Sequence, residues 1–239
     1  MSKLLTTVVA LTLALACSTG LAAEKYRSAQ DAAWSADGKM IAVTDSTGGS
    51  LAVLDDAGKL LREVALSGSP RGVVFGQGAK CYVAEYDAGT VAEVDAAAGK
   101  VLRRIQVGPK PVAVALAAKA GLLLVSNYGL HCVSVIDLAS GAEKARIDTP
   151  ASPEGIAVSP DESVAMVANL SPAGDATSAS HAAGVTVIDL KSLKKTADIA
   201  LTPGSTNLRN IVFSPDGKWA YTAGALGRFT LPTTQLDRG

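Results

Sequence analysis

Short apolar runs, four to a repeat, set the pattern of this chain. Between Pro111 and Ser152 they are Val112–Leu116, Leu122–Val125, Val133–Asp137 and Ala142–Ile147, with Gly and Asn in the gaps. Each run has strand length and is rich in aliphatic or β-branched residues, which suit a pleated, half-buried surface. Four strands in about 41 residues bury too little apolar surface to fold alone, so the unit predicts stacking on copies of itself.

Those copies are present and in phase. The first strand recurs at Ala29-Gln30-Asp31, Pro70-Arg71-Gly72, Pro111-Val112-Ala113, Pro153-Glu154-Gly155 and Leu208-Arg209-Asn210, with steps of 41, 41, 42 and 55 residues. The third strand recurs as an apolar run closed by Asp55, Asp95, Asp137 and Asp189. An Asp at that place predicts a turn in which the carboxylate accepts nearby backbone N–H groups. The period predicts an all-β fold, a β-propeller of four-stranded antiparallel blades. The expected blades are 29–69, 70–110, 111–152, 153–207 and a partial blade over 208–239. About four and a half blades do not close a ring, so the chain is expected to be the N-terminal part of a longer, seven- or eight-bladed protein.

The segments Pro153-Glu154-Gly155-Ile156-Ala157-Val158-Ser159-Pro160-Asp161, Val167-Ala168-Asn169 and Val185-Thr186-Val187-Ile188-Asp189 resemble the YVTN-family β-propeller repeat. The resemblance runs from about Ala29 to Ala223, and it breaks at Phe75-Gly76-Gln77-Gly78, where the Ser-Pro-Asp-Gly turn is missing. It implies a periplasmic or surface binding scaffold, with some relatives acting as haem- or quinone-linked redox modules. The tail Gly227-Arg228-Phe229-Thr230-Leu231-Pro232 resembles, more weakly, propeller modules joined to di-haem cytochrome c peroxidase-type domains.

Antiparallel blades sort their turns onto two faces. Turns such as Ala36-Asp37-Gly38-Lys39 and Pro215-Asp216-Gly217-Lys218 share one face and read as plain turn chemistry. The opposite face gathers the second-to-third loops and the blade connections. It carries the candidate ligand or partner residues Arg71, Tyr86, Asn127, Tyr128, His131, Glu154, Asn169, His181, Asn207 and Arg209. Its loop over 169–184 holds an insertion of about 13 small and polar residues, and long loops in compact domains tend to be functional or disordered.

Residues 1–23 change the compartment. Lys3, the 13-residue apolar run Leu4–Ala16 and the small residues up to Ala23 have the form of a secretory signal peptide. The chain is therefore expected in the periplasm or secreted, with lipidation at Cys17 a less favoured alternative and no membrane span after cleavage. Without Lys3 the expected mature chain has 21 basic and 22 acidic residues, which gives nucleic acid no basic surface to bind. Cys81 begins a second strand and Cys132 a third, so they sit roughly 15 Å apart along the strand direction. That exceeds disulfide reach and predicts two free, buried thiols.

The chemistry is left open. The sequence has no Cys-x-x-Cys-His, Gly-x-Ser-x-Gly, His-Glu-x-x-His or EF-hand pattern. The favoured reading is a non-catalytic scaffold that uses the 169–184 face for a periplasmic protein or small ligand. One alternative is a redox propeller that docks a c-type cytochrome or holds haem through His131 or His181. Another is a hydrolase or lactonase with Glu85, Asp87 and Glu154 around a divalent metal.

Overall fold

A computed structural model describes residues 27–150, 152–172 and 181–226. Blade 1 is β1 (Ala29–Trp34), β2 (Met40–Asp45), β3 (Ser50–Asp55) and β4 (Leu60–Ala65). Blade 2 is β5 (Pro70–Phe75), β6 (Lys80–Glu85), β7 (Thr90–Asp95) and β8 (Lys100–Gln106). Blade 3 is β9 (Pro111–Ala117), β10 (Leu122–Asn127), β11 (Cys132–Asp137) and β12 (Glu143–Asp148). Blade 4 is β13 (Pro153–Val158), β14 (Val164–Asn169), β15 (Gly184–Asp189) and β16 (Lys194–Ala200). Two further strands, β17 (Ser205–Phe213) and β18 (Ala220–Leu226), pair as the start of blade 5. Each sheet is an antiparallel meander in sequence order, the architecture of a β-propeller.

Local chemistry fixes the turns. Asp55 accepts from Ala57 N at 3.0 Å and Lys59 N at 2.8 Å, Asp95 from Ala98 N at 2.8 Å, Asp137 from Ser140 N at 2.9 Å and Asp189 from Ser192 N at 2.7 Å. The first-to-second hairpins use a Ser-x-Asp device in which Asp37, Asp161 and Asp216 accept from the hydroxyls of Ser35, Ser159 and Ser214. These hydrogen bonds favour the ionised carboxylate and hold Asp37, Asp137, Asp161, Asp189 and Asp216 below the ordinary range; Asp161 falls to about 2.

Burial follows position in the blade. β6, β10 and β11 are almost wholly buried, because they are covered by blades on both sides. The fourth strands of blades 1 to 3 bury one residue each: Val64 in β4, Ile105 in β8 and Ile147 in β12. Ile199, in the matching place of β16, is 46 % exposed where the described part of blade 5 reaches only two strands. The apolar core is a series of interblade clusters. Val53, Val73 and Val83 fill the gap between blades 1 and 2, Val91, Val114 and Leu123 the next, Val135, Ile156 and Val167 the third, and Ala168, Leu208 and Ile211 the fourth. Arginines staple the rims: Arg62 Nε donates to Ala97 O of blade 2, and Arg103 donates to Leu138 O of blade 3. Cys81 and Cys132 are free and buried, and burial pushes the Cys81 thiol up to about 12.

The inner strands line the central channel, and each begins irregularly. Bulges interrupt pairing at Ala29/Ala32, Pro70/Val73, Pro153/Ile156 and Thr206/Asn210. A bulge bends its strand and re-aims a side chain. Gly72 and Gly155 let neighbouring inner strands close in, since a Cβ on Gly155 would lie 2.6 Å from Asn210 Cα.

Candidate functional site at the channel

One position in each inner strand, at or beside the bulge, lines the channel. Gln30, Arg71, Val112, Glu154 and Arg209 occupy this repeat position, and with Asp31 they line a cavity of about 240 Å³. Four of them are polar in a place where a purely structural ring needs only small or apolar side chains.

Charge is arranged unevenly around the cavity. Arg209 Nη1 lies 3.4 Å from Glu154 Oε1. Burial raises the Glu154 carboxyl above its usual value, and the opposing pull of Arg209 and Arg71 is the smaller effect. Burial also raises Asp31, although the N–H groups of Val73 and Ala32 donate to it. The Arg71 guanidinium stacks 4.6 Å above the Tyr86 ring, with Nη1 3.3 Å from Gln30 Oε1. Its Nε is buried and makes no hydrogen bond, and a buried donor without an acceptor costs about 1–3 kcal/mol. Lys110 Nζ stands 5.9 Å from the centroid of the same ring.

The other candidates lie elsewhere. Asn127 and Asn169 end second strands but turn into their blades: Asn127 Nδ2 donates to Ser134 Oγ at 2.8 Å, and Asn169 Nδ2 to Thr186 Oγ1 at 3.0 Å. These bonds continue to Glu143 and Asp198 on the fourth strands, forming polar ladders across blades 3 and 4. Tyr128 sits in the short turn Tyr128–Leu130, where its N–H donates to Lys110 O. His131 closes that turn at φ 52° and its Nδ1 accepts from Ser152 N at 3.0 Å, tying the connection between blades 3 and 4. His181 Nδ1 is buried without a hydrogen bond, and its carbonyl accepts from Gly204 N. Asn207, at φ 56°, lies in the β17 bulge. Residues 173–180 of the long loop lie outside the described residues.

The expected carboxylate trio does not assemble. Glu85 is fully buried inside blade 2, where Arg104, Thr90 and the Ser67 N–H occupy its oxygens. Asp87 accepts from Ser69 Oγ on the loop face, and Glu154 belongs to the channel. Among the described residues no group of three His, Cys, Asp or Glu side chains is placed to hold a metal ion. Sequence reasoning missed Gln30 and Asp31, although Gln30 sits at the repeat position of Arg71, Glu154 and Arg209 and Asp31 follows it.

Channel and blades together define a β-propeller with a polar, charged centre. The chain is similar in fold to Kuenenia stuttgartiensis hydrazine synthase, with a TM-score of 0.77 and 24 % identity. The match covers 84 % of this chain and 57 % of that one, so the chain spans a little over half its length. No curated protein matches. Residues 44–228 match the family described as lactonase, 7-bladed beta-propeller, and the chain belongs to that family.

Proposed function

We propose that the protein is a propeller-type binding scaffold whose channel takes a small ligand bearing an oxyanion and hydroxyl groups, a hydroxy acid in chemical class. The observation that carries this reading is the unpaired, buried Nε of Arg71, set in one cavity with Arg209 and Glu154. Guanidinium groups recognise carboxylates through paired N–H donors, and a carboxyl raised by burial can donate to the same ligand once protonated. The leader-like segment 1–23 supports export, and the scaffold would then meet its ligand or a protein partner in the periplasm. No helix among the described residues is long and apolar enough to cross a membrane.

The family's description favours a second reading, hydrolysis of a lactone at this same site. Glu154 would take a proton from water as the water oxygen attacks the lactone carbonyl. Arg71 and Arg209 would hold the resulting oxyanion, and the ring C–O bond would break with the proton returned to the leaving alkoxide. This reading needs no metal. Holding haem through His131 gains no support from the geometry, since its Nδ1 already accepts from Ser152 N.

Calorimetric titration with γ-butyrolactone, δ-valerolactone and their hydroxy acids, with proton release followed at constant pH, tests both. Hydroxy-acid binding lost in Arg71→Met supports the scaffold. Lactone turnover lost in Glu154→Gln moves the conclusion to hydrolysis. Absence of binding and turnover in the folded protein refutes both.

A further inference from the structure

The structure holds a second cavity, far from the channel in the repeat's geometry. It opens between blades 2 and 3 beside the tight turns, has a volume of about 780 Å³, and falls within the usual range for small-molecule sites. It coincides with the places where blade 2 departs from its siblings. Pairing registers make Glu93 equivalent to Val53, Val135 and Val187, and Tyr82 equivalent to Ala42, Leu124 and Met166. Where blades 1 and 3 bury a valine against the next blade, blade 2 therefore buries a carboxylate. Its side chain is only 5 % exposed, with Lys80 Nζ at 3.0 Å and Arg103 Nε at 2.6 Å.

A core valine is not replaced by a buried ion for stability, since burial of charges costs as much as their attraction returns. The turn beside it has changed as well. Gly76 replaces the serine of the other Ser-x-Asp turns, and a Cβ there would lie 3.0 Å from the Tyr82 ring. Glycine thus keeps space beside Tyr82, which is 5 % exposed and lines the cavity. Leu102, Leu116 and Leu138 form apolar walls, and Leu102 remains 45 % exposed.

We propose that this groove is a binding site for a monocarboxylate with an apolar body. Two cations, Lys80 and Arg103, share one carboxylate, Glu93, which leaves one positive charge over. Asp137, also in the lining, is neutralised by Lys144 at 3.1 Å. Arg103 is committed to Glu93 and to Leu138 O, whereas Lys80 Nζ meets Glu93 with one of its three donors and keeps two for a ligand, beside the Tyr82 hydroxyl in the same lining. Those donors meet the carboxylate head, and the leucines cover the tail.

The test is titration of the full chain with octanoate, 4-phenylbutyrate and octanamide, followed by calorimetry. Lys80→Met is expected to weaken octanoate binding about tenfold and Tyr82→Phe about fivefold, the usual sizes for a charged and a neutral hydrogen bond. Octanamide is expected to bind more weakly and to ignore Lys80→Met. Arg71→Met and Arg209→Met, which disable the channel, are expected to leave octanoate binding unchanged. Unfolding midpoints of all four variants confirm that the fold is intact. The proposal is overturned if octanoate does not bind, if it binds equally well to Lys80→Met and Tyr82→Phe, or if only the channel variants reduce its affinity.

Discussion

Replacing Gly155 with alanine tests how closely the inner strands are packed at the channel. The new Cβ would stand 2.6 Å from Asn210 Cα and 2.7 Å from Arg209 O, both backbone atoms of the next blade. Ordinary contact begins near 3.4 Å, so β17 must retreat by about 0.8 Å. Overpacking of this kind costs about 1–3 kcal/mol. Loss of glycine's freedom in the unfolded chain returns about 0.4–1 kcal/mol where the backbone accepts alanine. The net is about 1–2 kcal/mol, and in a domain of this size that lowers Tm by about 2–8 °C. The retreat also carries Arg209 away from Glu154, whose contact is already 3.4 Å, so hydroxy-acid affinity falls with stability. Gly58→Ala is the control. Its φ of +80° makes alanine strained, but nothing lies within 4 Å and the turn is remote from the channel, so stability falls and affinity does not. Thermal unfolding and calorimetry read both effects. A Gly155→Ala variant with the parental Tm and parental affinity would refute the close packing of blades 4 and 5 and the positioning drawn from it.

Further outcomes follow from the titrating groups. Burial raises Glu154, so its ionisation opposes folding; Glu154→Gln is expected to be more stable than the parent at pH 7, with the difference vanishing as pH falls below about 4, measured by denaturant titration at several pH values. The turn acids Asp161, Asp189 and Asp216 are depressed, so the stability they contribute is present above their unfolded values near 3.8 and is lost as pH falls below them, for Asp161 toward about 2; acid unfolding is expected there, and replacing Asp161 with Asn should move its midpoint. Cys81, pushed up to about 12, should resist a thiol reagent at pH 8 until the protein is unfolded, and rapid native labelling would contradict its burial.

The fold was legible because its signals are local. Apolar runs of strand length, the closing Asp55, Asp95, Asp137 and Asp189, and the Ser-x-Asp turns are each read within a few residues, and their recurrence supplies the architecture. Arg71, Glu154 and Arg209 were visible as one repeat position, but their charge balance was not, since it depends on which blades stand side by side. Asn127 and Asn169 show the limit of placing residues by loop. They end strands on the loop face, yet the pleat turns their amides inward to Ser134 and Thr186. Glu85 is lost to the interior in the same way, to Arg104. Glu93 went unnoticed within an apolar run, although aligning it with Val53, Val135 and Val187 marks it as foreign to its position.

The most direct test of the channel site is a crystal structure of the full chain grown with γ-hydroxybutyrate, the hydroxy acid of γ-butyrolactone. The account predicts its carboxylate among Gln30, Arg71 and Arg209, with Arg71 Nε donating to it and Glu154 within hydrogen-bond reach of a ligand oxygen. A ligand bound at another face, with Arg71 Nε still unpaired or turned to a protein acceptor, would contradict it.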